Sequence, residues 1–200
     1  MNLKNKFWYF DTGLSKDFCD DVIKHGLNQT IQVGLTNDTQ LNLTDEKINQ
    51  QQNTIRKSNV SWLEDKWILD EIRPFFIDAN ISSNWNFDID EFESFQFTIY
   101  KDTNYYDWHI DMGEEPYKEG PLKGKIRKLS MSILLSDPND FEGGNLEFDY
   151  RENDSPITRY EFANKGSCVV FPSFIYHRVT PVTKGTRYSL VIWAVGKAFR

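Results

Sequence analysis

From residue 87 onward, apolar and polar side chains alternate with a period of two. Phe95, Phe97 and Ile99 alternate with Ser94, Gln96 and Thr98, and Leu129, Met131 and Ile133 with Lys128, Ser130 and Ser132. A period of two places one set of side chains on each face of a strand. Leu146, Phe148 and Tyr150 repeat the pattern, and further strands are expected near 157–162, 166–171, 176–182 and 187–195. Ser136-Asp137-Pro138-Asn139 and Glu142-Gly143-Gly144 punctuate the series with turn chemistry. Short strands in close succession, with no helical pattern between them, specify a mainly β sandwich or barrel.

The first 86 residues read differently. Residues 7–12 suit a short strand, and Ser15 can cap a helix whose stripe includes Phe18, Val22 and Ile23 and whose end falls at His25-Gly26. Residues 34–58 are rich in Asn, Gln and Thr, which indicates a loop or flap. Within it Asn42-Leu43-Thr44 matches a glycosylation acceptor, which carries little meaning without a secretory signal. Ser61-Trp62-Leu63-Glu64 has the spacing of a capping box and predicts a second helix, kinked or broken at Pro74 near Arg73. The expected organisation is one domain over 1–200. Residues 1–86 form a helical support and flap, and 87–200 the β core.

Composition narrows the function. A formal net charge of −7 argues against a general nucleic-acid binder, because phosphate contacts need a concentrated basic face. No apolar run approaches the length of a membrane helix, and the N-terminal residues lack the apolar core of a signal peptide. The cysteines, Cys19 and Cys168, fall in apolar contexts that suit buried thiols. These features give the expectation of a cytoplasmic protein with no membrane and no nucleic-acid partner.

The chemistry concentrates in His109-Ile110-Asp111. On a strand, positions i and i+2 share a face, so an imidazole and a carboxylate can reach one ion. A third ligand must come from elsewhere. The chain has 3 histidines, and His25 sits where a helix end gives it a surface or capping role. That leaves His177, which only a folded β-structure can bring to Asp111. Two histidines and one carboxylate with open positions are the facial triad of non-haem Fe(II) oxygenases. Arg187 follows His177 on a strand-like run, facing inward, with Ser189 on the same face. A buried guanidinium requires a partner, either an acidic side chain of the protein or the carboxylate of a ligand.

His109-Ile110-Asp111, His177 and Arg187-Tyr188-Ser189 together resemble the 2-oxoglutarate and Fe(II)-dependent dioxygenases. Within that superfamily the chain is similar to the prolyl 4-hydroxylase-like group, including the PKHD-type hydroxylases. The matching text is Leu134-Leu135-Ser136-Asp137-Pro138, Phe141-Glu142-Gly143-Gly144-Asn145-Leu146, and Phe171-Pro172-Ser173 through His177 to Arg187. Likeness extends over about residues 95–196, and more loosely to Arg56-Lys57-Ser58 before Trp62.

The resemblance implies a double-stranded β-helix, or jelly roll, with helices packed on one sheet. It implies His109, Asp111 and His177 as iron ligands and as the catalytic set. Arg187, assisted by Ser189, would bind the distal carboxylate of 2-oxoglutarate, and Tyr100 would lie against it. The implied cofactors are Fe(II), 2-oxoglutarate and O2, with ascorbate as a candidate addition. The implied reaction is hydroxylation of a C–H bond with release of succinate and CO2. Its substrate would be a prolyl or other residue of a peptide or protein, or a small molecule such as a free amino acid. Asp111 favours hydroxylation over halogenation, since related halogenases lack this carboxylate. Relatives with a tyrosine on the strand matching 129–135 differ from this chain, which has none there. Trp193 matches a tryptophan near the iron in relatives and equally suits a core position. Two rivals stand beside this reading: a non-enzymatic metal- or sugar-binding jelly roll and a zinc hydrolase, neither of which explains Arg187. The oligomeric state is not legible.

Overall fold

In the computed structural model, residues 3–35, 44–151, 157–160 and 162–199 are described, and within α2 the side chains of 51–53 are left aside. Asn42 and Leu43 of the acceptor triplet, with the rest of 36–43 in the polar flap, lie outside the described residues. The N-terminal part runs β1 (Trp8–Phe10), α1 (Lys16–Leu27), β2 (Gln32–Val33), α2 (Asp45–Thr54), β3 (Arg56–Lys57), β4 (Asn59–Leu63) and α3 (Lys66–Ser82). Then come β5 (Glu91–Phe92), β6 (Phe95–Lys101), β7 (Tyr105–His109), β8 (Lys125–Leu134), β9 (Phe141–Gly143) and β10 (Leu146–Asp149). The chain closes with β11 (Thr158–Tyr160), β12 (Cys168–Pro172), β13 (Tyr176–Val179) and β14 (Val182–Lys197).

The strands form two antiparallel sheets. The larger has the order β1-β12-β8-β14-β6-β4-β2, with β5 and β9 paired to β14; the smaller is β11-β10-β13-β7-β3. This is a double-stranded β-helix, and alternation along each strand explains its layers. Phe97, Leu129, Met131, Ile133, Leu190 and Ile192 leave the larger sheet on its helix side and pack with Val22, Ile68, Ile72 and Phe76. The intervening residues face the smaller sheet, where Tyr100, Phe171, Leu146, Phe148 and Val179 form a second core. Each fully buried large apolar side chain contributes roughly 1.5–3 kcal/mol relative to exposure. Helix α1 comes so close to β6 that a methyl group on Gly26 would lie 2.5 Å from the Phe97 ring, so only glycine fits there.

The helical support forms as expected around α1, where the Ser15 hydroxyl accepts from the Phe18 N–H at 3.1 Å. The second helix does not. Ser61 lies in β4, its hydroxyl donates to the Gly26 carbonyl at 2.8 Å, and the helix begins at Lys66. Val60 and Leu63 are buried in a strand paired with β6, and this packing overrides the local capping-box spacing. Asp65 occupies the cap position without a side-chain capping bond, because His25 Nε2 engages its carboxylate at 2.7 Å. Helix α3 also runs through Pro74 without ending at Arg73; Ile68, Ile72, Phe76 and Ala79 anchor it on both sides of the proline. The polar stretch is not all loop, since it contains α2 and β3.

Candidate active site

His109 ends β7 and His177 lies on β13, and the two are directly opposite in register. Asp111 lies beyond the end of β7, so it reaches His109 through a bend of the chain and not along a continuous strand. That bend is pinned: the N–H groups of Asp111 and Met112 both donate to the Ser173 carbonyl at 2.9 Å. The three side chains bring one ligand atom each within 4.8 Å of one another.

The backbone sets both imidazoles. His109 Nδ1 lies 2.7 Å from the Asp107 carbonyl and His177 Nδ1 lies 2.9 Å from the Ile175 carbonyl. A carbonyl only accepts, so each Nδ1 carries a proton and each Nε2 presents a lone pair. Those Nε2 atoms lie 3.7 and 3.6 Å from the Asp111 carboxylate oxygens. Asp111 Oδ2 is buried without a hydrogen-bond partner. Two aimed lone pairs and an unpartnered carboxylate oxygen fit a divalent cation.

Tyr106 stacks on the His109 ring, with centroids 3.6 Å apart. Arg56 lies 4.6 Å from the centre of the Tyr106 ring. Burial pushes the His109 imidazole down to about 3, with His177 adding to the effect. Burial opposes ionisation of Asp111, but His177 and then His109 outweigh it, with Arg127 and the Ser130 hydroxyl contributing, and hold its carboxyl below the usual range.

The depressed His109 value has a consequence for stability. In the unfolded chain this imidazole takes a proton near pH 6.5, whereas in the folded chain it takes one only near 3. The unfolded state therefore binds more protons across that window. Stability is full above about pH 6.5 and is lost as pH falls toward 3. The metal-free protein is expected to melt several degrees lower at pH 5 than at pH 7, and His109→Gln to flatten that slope, in parallel thermal melts.

Arg187 lies on β14 opposite Tyr100 on β6, and its guanidinium carbon is 5.6 Å from the Tyr100 ring. It is 1% exposed, and none of its three side-chain nitrogens has a hydrogen-bond partner. Burial pulls its pKa down to about 10, so the side chain remains a cation at neutral pH. The salt bridge open to it on sequence grounds is absent among the described residues. Gly144 makes room for this side chain: a methyl group there would lie 2.8 Å from Arg187 Cδ. Ser189 is buried on the same face and pairs in register with Thr98. Tyr100 is buried, and burial raises its phenol. Small side chains at Thr98, Ser132 and Ser189 line the inner face between Arg187 and the histidine–aspartate cluster.

The cluster opens into a cleft of about 1280 Å³. Its walls include Trp62, Gln96 and Trp193 from the larger sheet, and Arg56, Tyr106 and Ile110 from the region of the smaller one. Arg127 forms a two-pronged pair with Glu93 at 2.8 and 2.6 Å, and its guanidinium lies 4.0 Å from the centre of the Trp193 ring. Glu93 also accepts from the Tyr117 hydroxyl at 2.8 Å, which ties the 112–124 loop to this wall. Trp193 Nε1 and Arg56 Nη2 are buried N–H groups without hydrogen-bond partners among the described residues. Arg56, Tyr106, Arg127 and Glu93 were not singled out as site residues by motif. Their pairings depend on strand register, and the only sequence hints were the Arg56-Lys57-Ser58 lead-in and an arginine in a strand otherwise apolar on one face.

Topology and side-chain set together describe a double-stranded β-helix with a metal-type centre at its open end. The chain belongs to the 2OG-Fe(II) oxygenase superfamily, whose sequence model matches residues 95–195. A PKHD-type hydroxylase of Teredinibacter turnerae is 33% identical over 99 residues, covering 49% of this chain and 41% of that protein. One of Azoarcus sp. is 39% identical over 87 residues, covering 43% of this chain and 35% of that protein. The matched stretch thus spans less than half of these relatives. Among solved structures, the viral collagen prolyl hydroxylase of Paramecium Bursaria Chlorella virus-1 superposes with a TM-score of 0.67 at 20% identity, covering 96% of this chain and 97% of that one. A Pseudomonas putida prolyl-4-hydroxylase gives 0.67 at 16% identity, covering 98% and 95%. No helix among the described residues is long and apolar enough to cross a membrane.

Proposed function

We propose that this protein is a 2-oxoglutarate- and Fe(II)-dependent dioxygenase that hydroxylates a C–H bond in a prolyl or other residue of a peptide or protein. The observation that carries the reading is the pairing of two features in one interior. One is a histidine–aspartate–histidine cluster with free ligand atoms; the other is a buried guanidinium with no hydrogen-bond partner among the described residues. His109, Asp111 and His177 would hold Fe(II), which with O2 supplies the oxidising power for the C–H bond. Overall, 2-oxoglutarate, O2 and the substrate C–H give succinate, CO2 and the alcohol, with one oxygen atom entering succinate and one the product.

Arg187 binds the distal carboxylate of the cosubstrate, with Ser189 adding a hydroxyl and Tyr100 forming the wall beside it. The β-helix interior excludes water from this pocket, which strengthens the charge pairing. The unpartnered N–H groups of Trp193 and Arg56 favour a substrate rich in acceptors, such as peptide carbonyls. Names of several similar proteins point the same way, including a Trichoplax adhaerens prolyl hydroxylase solved with a hypoxia inducible factor peptide fragment. A role for ascorbate as reductant and a location in the cytoplasm belong to this proposal too.

The test is incubation of the Fe(II)-loaded protein with 2-oxoglutarate, air and a panel of proline-containing peptides and free amino acids, read by mass spectrometry. One added oxygen atom on a peptide, matched by succinate, is the expected result. Oxygen added only to free amino acids would overturn the peptide assignment. No succinate with any substrate would overturn the enzyme assignment.

A further inference from the structure

Asp111 has no strand to hold it. It lies past His109, the last residue of β7, at the head of the long connection to Lys125, where β8 begins. A ligand on such a connection keeps its place only if the chain around it is tied down, because long loops otherwise sample many conformations. On its N–H side the tie is the Ser173 carbonyl, which accepts from Asp111 and Met112 at 2.9 Å. On its carbonyl side the tie is Arg127, whose Nη1 donates to the Asp111 main-chain oxygen at 3.3 Å.

A β-bulge aims Arg127 at this carbonyl. Leu129 lies opposite Ala194, but Arg127 lies opposite Val195, so Lys128 is an extra residue on β8. In an unbulged strand Arg127 would share a face with Leu129, on the helix side of the sheet. The extra residue turns it onto the cleft face, with Trp193. There Glu93 fixes its orientation through two bonds, Nε to Oε1 at 2.8 Å and Nη2 to Oε2 at 2.6 Å. The guanidinium carbon lies 4.0 Å from the centre of the Trp193 ring. The Arg127 and Glu93 side chains are only 20% and 11% exposed, so the fork holds a geometry that a surface pair would not. It occupies Nε and Nη2 and leaves Nη1 for the Asp111 carbonyl.

We propose that Arg127 is a positioning residue for the metal centre. Held by Glu93, its guanidinium stitches the Asp111 bend to β8 and keeps the Asp111 carboxylate within reach of the ion that His109 and His177 face. The inference rests on the iron-binding reading of those three side chains. Charge alone gives Arg127 the opposite effect, since a cation beside the site repels a divalent ion. Weaker metal binding on its removal therefore reports position and not charge.

The test compares Glu93→Gln, the double variant Arg127→Met with Glu93→Gln, and Arg127→Lys. Glu93→Gln alone is the reference. The double variant removes the Asp111 contact without leaving an unpaired carboxylate, and lysine keeps the charge but lacks the fork. Thermal melts of the metal-free proteins check that each folds. Hydrogen exchange of the Asp111 and Met112 amides, followed by NMR on metal-free protein, reads the bend; Mn(II) titration reads the site. In the double variant both amides are expected to exchange about 10-fold faster than in the reference, the order set by one charge-assisted hydrogen bond. Mn(II) is expected to bind about 10- to 100-fold more weakly, the usual range for loss of a group that orients a ligand. Arg127→Lys should move both readouts in the same direction relative to the unaltered protein, and it decides the matter if the double variant does not fold. Unchanged amide exchange, or Mn(II) binding as tight as in the reference or tighter, would overturn the proposal and leave the iron reading intact. Failure of the unaltered protein to bind Mn(II) would overturn the iron reading, and the proposal with it.

Discussion

Arg187→Met is expected to weaken 2-oxoglutarate binding by more than 100-fold while leaving metal affinity near that of the unaltered protein. The guanidinium is 1% exposed and has no hydrogen-bond partner on any nitrogen among the described residues. Breaking a buried charge pair by removing one partner costs about 3–5 kcal/mol, which corresponds to this loss. Methionine fills much of the same volume and stays apolar, so the pocket keeps its shape. The same substitution removes an uncompensated buried charge from the ligand-free protein. Its melting temperature without ligand should therefore rise, not fall. Calorimetric titration with 2-oxoglutarate in the presence of Mn(II), alongside thermal melts, measures both effects. A stability loss with unchanged cosubstrate affinity would assign Arg187 a structural role instead.

Asp111→Ala is expected to abolish turnover and to reduce Fe(II) affinity by more than about 100-fold, beyond the range seen when only a ligand's supporting group is lost. The fold should survive the change. The Asp111 and Met112 N–H bonds to Ser173 come from the backbone and persist, and Oδ2 has no hydrogen bond to lose. A ligand that binds only the folded state raises stability by mass action. Added metal should therefore raise the melting temperature of the unaltered protein and leave that of Asp111→Ala in place. Inductively coupled plasma analysis after loading and desalting gives an independent count of bound iron.

The sequence made the β core legible because alternation is a local property. Phe95, Phe97 and Ile99 point one way in any strand, and β6 follows that pattern. The cluster was legible for a different reason. With so few histidines, the chain offers almost no other set of two imidazoles and a carboxylate, and the structure brings that set within 4.8 Å. What misled was syntax without context. Ser61-Trp62-Leu63-Glu64 spells a helix start, yet Val60 and Leu63 gain more by burial in β4 than a cap would provide. His25, read as a surface or capping residue, keeps such a role by binding the carboxylate of Asp65 at the start of α3.

Other features were out of reach because they are written across strands. Tyr106 on His109, Arg56 on Tyr106 and Arg127 between Glu93 and Trp193 are contacts of register and turn. No spacing along the chain encodes them. On the outer face of the smaller sheet, Trp108 and Tyr176 stack with ring centres 5.5 Å apart, directly beside His109 and His177 in sequence. Arg178 lies 4.6 Å from the centre of the Trp108 ring and donates to Glu147 at 2.8 Å, so the strands bearing the two histidines are also clamped from behind.

The central claim is that one interior holds iron and 2-oxoglutarate together. Anaerobic addition of Fe(II) and 2-oxoglutarate, followed by visible absorption, tests it most directly. The account predicts a weak charge-transfer band that requires both components, disappears in Asp111→Ala, and in Arg187→Met returns only at much higher 2-oxoglutarate. No band with the unaltered protein, together with no succinate on admission of air, would contradict it.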